Sequence, residues 1–185
     1  MSYESLLAKR ETEEAHAEVF ESEFPAVTGR AVKIINTGES PDAVALIDGI
    51  ETGIELTSIH AGDADGIVGE LYRLATQKHE SYLRRGLFAR PMILLGHLSW
   101  PAPEVEGTTL WDERKAILDL VFEYEFAGLG FSEIWLMDDG IKYTSRRDPR
   151  CPADFFCFAP ADAAGFYEHE RKRRPYWSFI VEQHS

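Results

Sequence analysis

Asp42 and Glu55 are the two residues of this chain whose types and spacing suit joint chemistry. They fall in "SPDAVALIDGIETGIELTSI", residues 40–59, where Asp48-Gly49 separates two apolar runs. An Asp-Gly pair so flanked signals a two-residue type I′ turn. Centring the turn there pairs Ile47 with Ile50, Leu46 with Glu51, Ala45 with Thr52, Val44 with Gly53 and Ala43 with Ile54. Asp42 then falls opposite Glu55, unless a bulge at Gly53 shifts the register. Like charges facing each other on paired strands repel, and a cation is the natural compensation. Two carboxylates from adjacent strands are hard oxygen ligands of the kind Mg²⁺ takes together with waters and phosphate oxygens. The backbone carbonyl of Leu56 adds a further oxygen. A cation held this way polarises a phosphoryl group and activates a water.

A third group comes from periodicity. Residues 66–85 read as a helix in which Ile67, Leu71, Leu74, Lys78 and Tyr82 share one face, so a lysine sits inside an apolar stripe. Such a lysine offers positive charge where negative charge develops, or orients the attacking water. Each residue also has a plain reading. Asp42 after Pro41 is a turn acid, Glu55 a solvent-facing strand residue, and Lys78 a stem lying along the core with its ammonium in water.

Other elements must position these groups. "SYESLLAKRETEEAHAEVFESEF" reads as a first helix with Leu6, Ala17, Phe20 and Phe24 on one face, stopped by Pro25. "RAVKIIN" is a short strand before the hairpin. "RPMILLGHLSW" is a continuous apolar run, the pattern of a central strand buried on both faces. "TTLWDERKAILDLVFEYEFAGLG" reads as a third helix, capped by Thr and ended by Gly. "EIWLMDDGIKYT" repeats the hairpin grammar with a second Asp-Gly. "DFFCFA" and "YWSFIV" read as strands around a short helix near "DAAGFYEHERKR". The order implies an α/β fold, a mixed central sheet flanked by helices.

Composition narrows the partners. An apolar content of 44% supports a real core, and the 185 residues fit one domain. We expect a core over about residues 3–100 and a C-terminal α+β elaboration over about 101–185. Apolar runs reach about eight residues, too short for a membrane span, and the charged, acidic start is unlike a presequence. Cys151 and Cys157 are too few for a disulfide framework, lack zinc partners, and read as packing residues. These features point to a cytoplasmic protein with reduced thiols. The formal net charge of −13 argues against a non-specific nucleic-acid coat. Basic residues nonetheless gather in "SRRDPR" and "ERKRRP", where Arg146, Arg147, Arg150, Arg171, Arg173 and Arg174 are candidates for a phosphate-facing patch; a solvated surface is the plain alternative. "GDADG" lacks the remaining ligands of an EF-hand and reads as a surface loop. His60, just after the second hairpin strand, is placed to meet a phosphate or a bound water.

"PD" followed by a strand, a turn and "GIELT" resembles the PD-(D/E)XK nuclease superfamily, as does the expected order helix, three strands, helix, strand over roughly residues 3–100. The resemblance implies a restriction-endonuclease-like core (α-β-β-β-α-β) and phosphodiester hydrolysis with Mg²⁺ or Mn²⁺. It implies Asp42, Glu55 and the Leu56 carbonyl as metal ligands. Thr57 stands where the family's lysine is expected, and a hydroxyl supplies no positive charge. In some members that lysine has migrated to the following helix, which Lys78 matches. Some relatives add a glutamate from the first helix; Glu13 lies on the inward face, with Glu14 next. The departure at Thr57 leaves a competing reading, a catalytically inactive relative acting through protein contacts or as a homodimer. A third is an enzyme for a small phosphorylated molecule. Whether DNA or RNA would be cut is open at this level.

Overall fold

A computed structural model describes residues 3–38, 40–60, 64–98, 110–138 and 153–167. The six candidate arginines of the C-terminal basic stretches, Cys151, the second Asp-Gly and the strand expected at 176–181 lie outside the described residues. The elements are α1 (Tyr3–Thr28), β1 (Val32–Thr37), β2 (Ala43–Ile47), β3 (Ile50–Ile59), α2 (Ala64–Arg85), β4 (Met92–Leu98), α3 (Leu110–Leu120), β5 (Glu133–Asp138), β6 (Asp154–Ala159) and β7 (Gly165–Tyr167). The strands form one sheet in the order β1 to β7. β3, β4 and β5 run parallel, and the outer pairs on both sides are antiparallel. The fold is thus α/β with a mixed sheet. No described helix is long and apolar enough to cross a membrane.

Alternation along the strands builds two cores. Ile54 and Leu56 of β3, Ile93 and Leu95 of β4, and Phe155 and Cys157 of β6 face Phe20 and Phe24 of α1. Ile59, Leu94, Leu136 and Phe156 face the other way, toward Ile67 and Leu71 of α2 and Ile117 of α3. β4 is buried along its whole length, as its unbroken apolar run requires. Phe24 meets Trp135 and Phe155 edge-on at 5.0 and 5.3 Å, fastening the first helix to strands near the other end of the described chain.

The hairpin has the register expected from Asp48-Gly49, all five pairs from Ala43–Ile54 to Ile47–Ile50. Asp48 and Gly49 have φ of 50° and 83°, the left-handed values that a type I′ turn demands of both central residues. Gly53 sits in β3 without a bulge. A Cβ there would collide with Met92 Sδ and stand 3.1 Å from Pro41 Cγ, so the missing side chain lets the Pro41-Asp42 segment lie close against the sheet. Gly53→Ala is expected to cost roughly 1–3 kcal/mol through overpacking. Urea denaturation checks this; an unchanged midpoint would show that Met92 absorbs the methyl.

Three expectations change. α1 runs through Pro25 to Thr28. A proline one turn from a helix end forfeits one bond, and Pro25's own carbonyl still accepts from the Gly29 N–H at 2.9 Å. Gly29, with φ of 75°, then ends the helix. The third helix, expected to reach Gly130, stops at Leu120, and a 3₁₀ turn, Phe126–Leu129, follows. The break brings the rings of both Tyr124 and Phe126 onto Tyr72, at 5.1 and 5.3 Å. Residues two apart on a helix do not share a face, so a straight helix would not place both. Finally, the segment expected as a short helix begins with a 3₁₀ turn, Ala161–Ala163, and continues as strand β7. The outer edge of β6 offers unpaired backbone groups, and β7 takes them.

Candidate functional site

The site forms where the hairpin ladder stops and its second strand continues. β2 pairs with β3 only as far as Ala43–Ile54, whereas β3 runs on to Ile59 with β4 along its other edge. Asp42 lies one step beyond the ladder. Its Oδ2 accepts a hydrogen bond from the Leu56 N–H at 2.7 Å, so a side chain does there what a strand carbonyl would have done. The N–H and C=O of one strand residue leave by the same edge, so the Leu56 carbonyl faces the opening as well.

Glu55 points to the α2 side and is 7% exposed. Lys78 and Tyr82, one turn apart on α2, each donate to one of its carboxylate oxygens, Lys78 to Oε1 and Tyr82 to Oε2. Ser40 donates to the Tyr82 hydroxyl at 3.3 Å, and Arg85 to Ser40 at 3.2 Å. The lysine on the apolar stripe is therefore half-buried and ion-paired with the hairpin acid.

Because no described strand covers that edge of residues 55–59, side chains from both faces reach one opening. A cavity of about 420 Å³ is lined by Thr12 and Glu13 of α1, Leu56, Thr57 and Ser58 of β3, Lys78 of α2 and His97 of β4. Thr57 thus stands on the same wall as Lys78. Ser58 Oγ is 3.0 Å from His97 Nε2, and the His97 ring stacks on His16 with centroids 3.6 Å apart.

Electrostatics set Asp42 apart. Its burial, and then the neighbouring charge of Glu55, push its carboxyl up to about 7. The Leu56 N–H and Lys78 oppose the shift, and the Glu13 charge adds to it. The Tyr82 hydroxyl is raised by burial and by its bond to Glu55. Cys157 is buried and pushed up to about 12, chiefly by burial, which suits the packing role expected of it.

Not every candidate joins the site. Glu14 is engaged with Arg10 one turn away, at 3.2 Å on the helix surface. His60 is exposed, and its backbone N–H donates to Glu70. Among the described residues no group of three or more His, Cys, Asp or Glu side chains stands close enough to hold a metal ion. Glu13 lines the cavity, which neither Asp42 nor Glu55 does, and acts on Asp42 through its charge without completing a side-chain ligand triad. What remains for a hard cation is two carboxylates and a backbone carbonyl. Burial first, and then the Glu55 charge, raise the Asp42 carboxyl, and hard oxygen donors of this kind are the type that Mg²⁺ or Mn²⁺ takes.

Several lining or supporting residues were not singled out from sequence. Tyr82 was visible only as a member of the apolar stripe. His97 is the polar interruption in "MILLGHLSW", a signal open to sequence reading, whereas Ser40, Ser58 and His16 carry none. No protein-family model, curated protein or solved structure matches this chain.

Proposed function

We propose that the chain is a divalent-metal-dependent phosphodiesterase, a nuclease with a restriction-endonuclease-like core of the PD-(D/E)XK type. The observation that carries this reading is the ion pair between Lys78 of α2 and Glu55 of β3, one residue along from the amide that holds Asp42. Thr57 lacks the charge expected at its position, and Lys78 brings that charge to the same carboxylate from the next helix. Asp42, Glu55 and the Leu56 carbonyl would hold Mg²⁺ or Mn²⁺. Such an ion supplies charge neutralisation at the phosphoryl oxygens and a more acidic water.

The chain's own groups do the rest. Tyr82 and Lys78 fix the orientation of Glu55, in the way outer hydrogen bonds hold metal-ligating carboxylates. Lys78 also places a cation at the cavity wall, where the phosphorus centre gains negative charge as water oxygen adds and the bond to the leaving oxygen breaks. The Thr57 hydroxyl beside it offers a hydrogen bond without charge.

A second reading, a protein-binding relative without catalysis, draws on one observation: both Glu55 oxygens already accept from protein donors. Calorimetry with Mn²⁺ separates the two. The nuclease reading expects saturable binding, and hydrolysis of short DNA or RNA oligonucleotides that requires Mn²⁺ or Mg²⁺ and stops with EDTA. A folded protein that binds neither cation supports the second reading.

A further inference from the structure

The cavity holds a second pair of groups, separate from the two acids. Ser58 of β3 and His97 of β4 stand side by side in the parallel ladder. Both line the cavity, which Asp42 and Glu55 do not. Each lies two residues beyond a member of the α1-side core, Leu56 or Leu95, so both side chains leave the sheet toward α1. Ser58 Oγ and His97 Nε2 are 3.0 Å apart, within hydrogen-bond reach. His97 is 4% exposed, whereas Ser58 is half-buried. The imidazole therefore sits behind the hydroxyl, and the hydroxyl meets the opening.

A serine hydroxyl alone is a weak nucleophile and needs a base at this distance. With the imidazole proton on Nδ1, Nε2 is the acceptor that takes the Ser58 proton. His16 of α1 stacks on the ring, centroids 3.6 Å apart, and holds its plane. A hydroxyl that only satisfied a buried imidazole would need no access to a cavity, and Ser58 has it. A donor for a developing oxyanion lies in the same residue. The Leu56 N–H leaves β3 by its open edge to reach Asp42. Two residues on, the Ser58 N–H leaves by that edge too, beyond the last pair with β2. Such a donor acts where charge builds on an acyl oxygen. Thr12, Glu13, Thr57 and Lys78 make the rest of the lining polar, with Leu56 aliphatic. About 420 Å³ so lined suits a small polar acyl group.

We infer that Ser58 and His97 are a nucleophile and its base for acyl transfer, hydrolysing esters of small polar acids. Ser58 Oγ adds to the acyl carbon as its proton passes to His97 Nε2. The bond to the leaving oxygen then breaks, and that oxygen takes the proton. Water, giving a proton to His97 in turn, releases the acid and restores Ser58. The inference uses neither Asp42 nor Glu55 and stands apart from the nuclease reading. The test treats the full chain, in EDTA to silence metal-dependent hydrolysis, with phenylmethylsulfonyl fluoride and with p-nitrophenyl acetate. Peptide mapping by mass spectrometry is expected to find the sulfonyl group on Ser58, formed roughly a hundredfold faster than on the urea-unfolded chain. Ser58→Ala is expected to lose both this labelling and the release of p-nitrophenol. His97→Gln keeps a hydrogen-bonding partner for Ser58 but no base, and is expected to slow both reactions roughly a hundredfold. Labelling of Ser58 no faster in the folded protein than in the unfolded chain overturns the inference. Unchanged labelling in a folded His97→Gln protein also overturns it. If that variant does not fold, the comparison of folded and unfolded unmutated chain still decides. Either result leaves Mn²⁺-dependent hydrolysis of oligonucleotides to stand or fall on its own assay.

Discussion

Glu55→Gln is expected to abolish Mn²⁺-dependent hydrolysis, by roughly a thousandfold or more, and to weaken Mn²⁺ binding with it. Lys78→Met is expected to lower the rate by roughly a hundred- to a thousandfold while Mn²⁺ binds as well as before or more tightly. The contrast follows from the roles proposed for the pair. Glutamine keeps the shape of Glu55 and a carbonyl for one donor, but removes the negative charge that a divalent ion requires. A charge stabilisation of several kcal/mol at the phosphoryl group is then lost, and each 1.36 kcal/mol is a factor of ten in rate. Methionine at residue 78 fills the lysine's volume and lifts a competing cation off Glu55 Oε1. It removes only what the ammonium gives the transition state, on the scale of one well-placed electrostatic donor. Glutamine and methionine serve better than alanine here, because they keep the side-chain volume and add no cavity to the loss of the ion pair. Oligonucleotide hydrolysis and Mn²⁺ calorimetry on both variants check the pair. A Lys78→Met protein as active as the unmutated one removes lysine from the mechanism.

The second large effect is on stability against pH. Asp42 has a carboxyl raised from 3.8 to about 7, first by burial and next by Glu55. Between about pH 4 and pH 7 the folded protein therefore binds a proton that the unfolded chain has released. The stability that proton provides is complete below pH 4, falls as pH rises through the window, and changes no further above about 7. Three units correspond to an upper limit of about 4 kcal/mol. Half of that would be a large share of a protein's usual margin. Asp42→Asn is expected to flatten this dependence, because an amide never ionises and its carbonyl can still accept from the Leu56 N–H. At pH 8 without metal the variant should melt roughly 5 °C or more above the unmutated protein, at 2–4 °C for each kcal/mol in a chain of this size. At pH 4 the two should melt together. Mn²⁺ at pH 8 should reverse the order, since it binds the ionised aspartate and stabilises only the folded form. Thermal melts at both pH values, with and without Mn²⁺, check each point. An unmutated protein no less stable at pH 8 than at pH 4 shows that Asp42 ionises there at little cost.

How much of this was legible in the sequence depended on how local each cause was. The hairpin register follows from two residues, Asp48 and Gly49, whose left-handed backbone admits one alignment of the flanking strands. The burial of β4 follows from its unbroken apolar run, and the inward face of α2 from a period of 3.6. Lys78 could be placed on that face, but its partner could not be read from the stripe; the contact depends on the crossing of α2 over β3. Tyr82 shows the limit more sharply. Its ring is ordinary core on any helical wheel, and only the position of Glu55, 27 residues earlier, gives its hydroxyl a partner. The elements misread were governed by distant neighbours in the same way. Tyr72 draws Tyr124 and Phe126 out of a longer helix, and the open edge of β6 turns residues 165–167 into strand. The cavity itself arises where β2 stops one step short of Glu55, and no residue type announces that stop.

The fastening of α1 to the far strands gives the molecule an order of birth. Phe20 and Phe24 leave the ribosome early, yet the rings they rest on, Trp135 and Phe155, arrive near the end of the described chain. At ordinary rates of translation that interval is on the order of ten seconds. Throughout it, α1 has β1, the hairpin and β4 to rest on, but not the two aromatic rings that complete its seat. A chain stalled before residue 153 would therefore carry the hairpin with both acids and the helix bearing Lys78, with the first helix held only by the strands already made.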